Sequence, residues 1–293
     1  MDSNLQPAEK RPTHRQIMLA VIITAVTAVV AALAHTAVLL FSYDSSLGVY
    51  LYNGYSPVMF IAGTVIGLAA VIIAAVSVPS GACGIERVPV CGTAEAFFAA
   101  MAGAAIFAYS VMNFITAIIE ITRNLPPNSS ISVIISAILS NTTAVLWIIM
   151  TLLSIPTAAY LIISAVTKTE EKPALTALGF FPVLWTAVCL LRIYFDRTSA
   201  INNPVKIFSQ MALAAVMLFF LSELRIRVGK PVMRVYLAFS GAAAMLGFSY
   251  SVSLIAAYLS GVGGLSGDVL LAVVILLCAV YAFSGMAAMR KRF

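Results

Sequence analysis

The chain has 293 residues, 62% of them hydrophobic and only 10% charged, with a formal net charge of +6 and a mean hydropathy of +1.04. A soluble domain carries roughly 25% charged residues, so a water-soluble enzyme is excluded and the solvent of this chain is a lipid bilayer. The basic balance does not indicate nucleic acid, because the Lys and Arg residues sit at the ends of apolar runs, where headgroups and topology account for them.

A membrane-spanning helix needs about 20 mostly apolar residues, and eight runs meet that requirement. Residues 1–16 form a polar cytoplasmic segment. The first span, 17–42, is longer than the roughly 7–15-residue apolar stretch of a cleaved leader. Tyr43, Tyr50, Tyr52 and Tyr55 crowd the first outer connection, where aromatic rings favour the interface. The second span, 57–78, opens on Pro57, whose missing N–H costs nothing there. It carries Gly63 and Gly67 as an internal close-packing pair. Cys83 and Cys91 flank the next connection and read as free thiols on the reducing side. After the third span, 94–121, Ile131–Leu139 is expected to form a short helix at the outer interface, divided from the fourth span by Ser140-Asn141-Thr142-Thr143; one tilted continuous helix is the alternative. The fourth and fifth spans, 143–167 and 174–195, contain Pro156 and Pro182, which should kink them. Spans 204–224, 231–259 and 269–289 follow, then a basic tail, 290–293.

These runs are continuous and do not alternate, so they are helices and not barrel strands. The fold class is therefore an all-α, polytopic integral membrane protein with eight transmembrane helices. The charged turn Lys168–Pro173 divides it into two sets of four, a 4+4 arrangement with both halves in the same orientation. With a cytoplasmic N-terminus, thirteen Lys and Arg residues fall inside and four (Arg123, Arg192, Arg197 and Lys206) outside. That bias places both termini in the cytoplasm and the protein in the cell membrane.

No phosphate-cradling glycine loop, His-Glu-x-x-His or G-x-S-x-G elbow is present. The chain contains two histidines. No enzyme activity, metal or cofactor is expected, and Cys189 and Cys278 read as small packing residues. The signal that remains is polar residues within the spans. Tyr109, Asn113, Thr116 and Glu120 share one face of the third span, and Trp185, Cys189, Arg192 and Asp196 share one face of the fifth. Thr24 and His35 lie on a stripe of the first span, and Tyr236, Ser240, Gly247 and Ser251 on one of the seventh. All four spans run from inside to outside. If the stripes converge, His35, Asn113, Glu120 and Arg192 line an outward polar pocket for a small molecule, Arg192 holding an anionic group, Glu120 a cation or proton, and Asn113 orienting the ligand. The plainer alternative pairs Glu120 with Arg123 and Arg192 with Asp196 at headgroup level, and leaves His35 a satisfied buried histidine. At the end of the sixth span, Glu223, Arg225 and Arg227 are candidates for a cytoplasmic partner contact; a Glu223–Arg227 pair at i, i+4 explains the glutamate without one. The leading expectation is a small-molecule permease or membrane-embedded binding protein, and the alternative is a sensor or interaction module.

Phe181-Pro182-Val183-Leu184-Trp185, Leu191-Arg192-x-Tyr194 with Asp196, Asn203-Pro204, and Glu223-x-Arg225 ahead of Gly229 and Pro231 form a pattern over residues 175–235. It resembles a family of polytopic membrane proteins of anaerobic Gram-positive bacteria with no assigned activity. The resemblance implies an architecture and a bacterial membrane.

Overall fold

The computed structural model describes residues 14–44, 47–51, 56–78, 92–126, 129–166, 173–196, 200, 203–230, 232–262 and 269–289. Cys83, Cys91, Tyr52, Tyr55, Pro231, most of the polar N-terminal segment and the basic tail lie outside them. In chain order the elements are α1 (His14–Phe41), a two-residue hairpin of β1 (Tyr43–Asp44) and β2 (Val49–Tyr50), α2 (Ser56–Val76), α3 (Thr93–Arg123), α4 (Ile131–Ser140), α5 (Thr142–Val166), α6 (Pro173–Leu178), α7 (Phe180–Phe195), α8 (Pro204–Arg227), α9 (Met233–Leu259) and α10 (Val269–Met289). With α6 and α7 counted as one span, eight are long and apolar enough to cross a membrane.

The boundaries follow from local chemistry. Asn141 adopts an extended conformation that ends α4, and its Oδ1 accepts from the Ala144 amide at 3.2 Å to begin α5. The separate short helix is therefore formed, and the continuous alternative is not. Asn203 Oδ1 accepts from the Val205 and Lys206 amides at 2.9 and 3.4 Å, a side-chain cap on a helix whose first residue is Pro204. The fifth span breaks at Gly179, between α6 and α7. Pro182 supplies the reason: it has no N–H for the Leu178 carbonyl, and its ring crowds that oxygen. At Pro156, by contrast, α5 remains one unbroken helix.

α9 is the central element, packing along α1, α2, α8 and α10. The two sets of four helices do not stand apart as separate bundles. Instead α9–α10–α3–α5–α7–α8 form a closed circuit of neighbours, with α1 and α2 laid against α9. Large apolar residues such as Leu33, Val65, Ile66, Ile73 and Ile155 face outward, as a lipid-solvated surface requires.

Lipid tails are as apolar as leucine, so helix association here relies on close packing. A Cβ at Gly241 of α9 would lie 2.5 Å from Val71 Cγ1 of α2 and 3.1 Å from Thr24 Oγ1 of α1. Gly241→Ala should therefore force helices apart and cost about 1–3 kcal/mol, read as a lower melting point of the purified protein in detergent. Gly67→Ala should melt close to wild type, since its nearest obstacle is the flexible Met245 Cε. Gly67 is internal, as its spacing suggested, whereas Gly63 meets nothing within 4 Å and lies on the outer surface.

Candidate functional site

Both ends of the circuit are closed by polar side chains that reach across it. We call the end carrying the start of α1 and the finish of α10 the inner end. At the outer end, Trp185 of α7 is fully buried, and its Nε1 donates to Ser110 Oγ of α3 at 2.9 Å. Thr151 of α5 donates to the Ser110 carbonyl at 3.2 Å. Tyr109 meets Trp147 and Trp185 edge-on, with centroids 5.5 and 6.4 Å apart. The Arg192 guanidinium lies 4.7 Å above the Trp147 ring, a cation–π contact in a partly desolvated setting. Since α3 and α7 do not pack along their lengths, the Trp185–Ser110 bond crosses the interior.

Beyond this aromatic layer lies a cleft of about 490 Å³ whose polar lining includes Glu120, Asn124, Asn141, Thr142, Thr143 and Asp196. Among the described residues, its charged lining groups are the two carboxylates. Lys206 Nζ donates to the Asp196 backbone carbonyl at 2.6 Å.

The four predicted pocket residues do not share one wall. Asn113 and Arg192 border the aromatic layer, and Glu120 lines the cleft outside it. Arg192 is not part of the cleft wall. Asn113 Nδ2 donates to the Tyr109 carbonyl of its own helix at 2.8 Å, so the bond seen is local. His35 is elsewhere. Fully buried, it stacks on Phe60 at 4.5 Å with Phe208 edge-on. Its Nε2 is 3.0 Å from the Tyr50 hydroxyl, and its Nδ1 is 3.5 Å from the Ser249 carbonyl. None of these residues lines the Glu120 cleft. The plainer reading of His35, a satisfied core histidine, is the one its surroundings match. Tyr50, expected at the interface, is folded inward by the hairpin to meet it.

At the inner end, Glu223 of α8 is only 9% exposed. Its Oε1 accepts from Tyr160 Oη of α5 at 3.0 Å, Tyr281 Oη of α10 at 2.9 Å and Arg227 Nη2 at 3.2 Å. Arg227, whose side chain is 7% exposed, also lies 5.0 Å over the Tyr160 ring. Neither α5 nor α10 packs extensively against the face that carries Glu223, and α5 and α10 do not pack along one another. One carboxylate thus ties three helices together inside the circuit. Gly179 makes room for this junction: a Cβ there would lie 3.2 Å from Tyr160 Cε2 and 3.0 Å from Leu224 Cδ1.

The three residues expected to contact a partner are placed differently from one another. Glu223 and Arg227 turn inward and pair through Oε1 and Nη2, because an unpaired charge at this depth costs several kcal/mol. Only Arg225 faces outward, its Nε donating to the Lys230 carbonyl at 3.2 Å.

A second buried carboxylate, Glu95, carried no stripe in the sequence. It accepts from the Gly92 amide at 3.3 Å at the start of α3. Its Oε1 and the Tyr236 hydroxyl of α9 converge on Gly285 of α10, where a Cβ would meet them at 3.4 and 2.5 Å. The local sequence does hold a signal for it, a glutamate at the third position of a helix following glycine, which is half of a capping box.

No family model, curated protein or solved structure matches this chain.

Proposed function

We propose that the protein is a small-molecule permease of the cell membrane with cytoplasmic termini, that its passage is the interior of the six-helix circuit, and that the acidic outer cleft receives a small cation. One observation carries the reading: polar and charged side chains, Trp185 with Ser110 and Glu223 with Arg227, Tyr160 and Tyr281, cross the interior at both ends of the bundle, although each costs free energy to place there. Glu120 and Asp196 would hold the cation, with the amides and hydroxyls of Asn124, Asn141, Thr142 and Thr143 fixing its orientation. Arg192, lying on Trp147 beneath the cleft, would repel a cation that moved further in and so act as the outer electrostatic barrier.

The chain has two tryptophans, Trp147 and Trp185, and both stand in the layer under the cleft. Intrinsic emission therefore reads occupancy directly. Titration of the purified protein with tetramethylammonium, guanidinium and short diamines should change the emission with at least one of them, whereas acetate and phosphate should not. Glu120→Gln and Asp196→Asn should each weaken that binding about tenfold or more, the worth of one charge-assisted hydrogen bond. Uptake of the same cation into liposomes then separates a permease from a binding protein. Emission that responds to anions and ignores every cation would overturn the assignment of ligand charge.

A further inference from the structure

The Glu223 junction is built asymmetrically. Three donors crowd Oε1, while Oε2 is buried and has no hydrogen-bond partner among the described residues. Arg227 Nε, on the next turn, is likewise buried without one. A carboxylate that only had to tie three helices together would be expected to spread its donors over both oxygens, since an unsatisfied buried acceptor costs free energy. Among the described residues, the surroundings hold few other groups that ionise. α5 brings Tyr160, α10 brings Tyr281, and α8 itself brings Arg227. Tyr236 of α9 and Glu95 of α3 meet α10 one turn further on, at Gly285. Phe219 stands between the two tyrosines, 5.3 Å from Tyr281 and 6.2 Å from Tyr236. α6 contains no charged residue, and the one charged residue of α7, Arg192, belongs to the outer end.

We propose that Glu223 Oε2 is the proton-binding site of this protein and that occupying it releases the inner closure of the circuit. The proton comes from the water next to the exposed Val228–Lys230 turn, five to seven residues further along the chain, and forms an O–H bond on Oε2. Glu223 becomes neutral and Arg227 loses its counter-charge. The guanidinium then leaves the Tyr160 face for the nearby water, which its long stem can reach. The bonds from Tyr160 and Tyr281 fall from charge-assisted to neutral strength, about half. α5, α8 and α10, joined here chiefly through that one oxygen, are then free to part. Loss of the proton restores the pair and shuts the end. The inference rests on reading the interior as a passage and supplies its coupling ion.

Two buried thiols make the motion measurable. Cys189 of α7 and Cys278 of α10 are both free, and both are buried in the core that the helices of the circuit share. They therefore face the interior. In the full-length chain with Cys83→Ser and Cys91→Ser, their labelling by a water-soluble maleimide is followed against pH. The rate in the parent is divided by the rate in the same chain carrying Glu223→Gln, which mimics the protonated form, so that the reagent's own pH dependence cancels. The ratio should be well below one at neutral and alkaline pH and should approach one as the pH falls. A ratio that does not vary with pH overturns the proposal. Should Glu223→Gln fail to fold, Tyr281→Phe and Tyr160→Phe keep the carboxylate and remove one donor each. Each should raise the pH midpoint of labelling by about one unit, because the charged form loses a hydrogen bond. An unmoved midpoint in both also overturns it. The labelling needs no ligand, so cation binding at the outer cleft can fail while this transition stands, and the reverse.

Discussion

Arg227→Ala should lower the stability of the purified protein by about 3–5 kcal/mol, the cost of leaving one member of a buried ion pair without its partner. The guanidinium does two things at once: it neutralises Glu223 at 3.2 Å, and it covers the Tyr160 ring at 5.0 Å. Alanine removes both and leaves a carboxylate held by tyrosine donors alone. Arg227→Lys should recover part of the loss, because an ammonium supplies the charge but not the flat face that lies on Tyr160. The informative comparison is the double variant. Glu223→Gln with Arg227→Ala removes both charges, and it should melt higher than Arg227→Ala alone, even though one more native side chain has gone. A buried pair gives that sign because neutralising the stranded charge relieves its desolvation penalty. Melting curves of the four proteins in one detergent measure it. If the double variant is simply the sum of two losses, the pair is not coupled, and the three-helix junction has been wrongly drawn around it.

The parts of this architecture visible in the sequence are those fixed by one helix at a time. A bilayer demands about 20 apolar residues for each crossing, and the eight runs end within three residues of the helices found. Asn141 and Pro182 act on their own backbone, so the α4–α5 division and the break at Gly179 could be anticipated from the chain. The i, i+4 relation of Glu223 and Arg227 is equally local. What one helix faces is a different matter. Periodicity puts His35 on a stripe but does not say which helix that stripe meets, and its partners come from α2, β2, α8 and α9. The third-span stripe shows the same limit. Tyr109 is buried and Asn113 half-buried, but Thr116 and Glu120 are exposed, because α3, at 31 residues and about 46 Å, outruns its neighbours. Tyr160 and Tyr281 gave no signal, since a lone tyrosine in an apolar run looks like any other large side chain. They gain meaning only once Glu223 is found between them.

Trp185→Ala should be the most damaging change at the outer end, costing about 3–5 kcal/mol. The side chain is fully buried and reaches from α7 to α3 across the interior, so its removal leaves a void where few atoms are placed to fill it. Trp185→Phe is the control that separates volume from hydrogen bonding. It keeps an aromatic ring near Tyr109 but loses the N–H that donates to Ser110 Oγ, and it should cost about 0.5–1.5 kcal/mol for the lost bond plus a smaller cavity term. Ser110→Ala attacks the same bond from the other side and should cost about 1–3 kcal/mol, because it strands the indole N–H in a buried site. The Ser110 hydroxyl also donates to the Ile106 carbonyl at 2.9 Å, but a carbonyl inside a helix keeps its backbone partner and tolerates that loss. The expected order of melting points is therefore Trp185→Ala lowest, then Ser110→Ala and Trp185→Phe, all below wild type. Equal melting of Trp185→Ala and Trp185→Phe would mean that the site collapses freely around the missing ring. In that case the outer layer could not hold Arg192 in a fixed position, and the electrostatic barrier assigned to it would lose its structural basis.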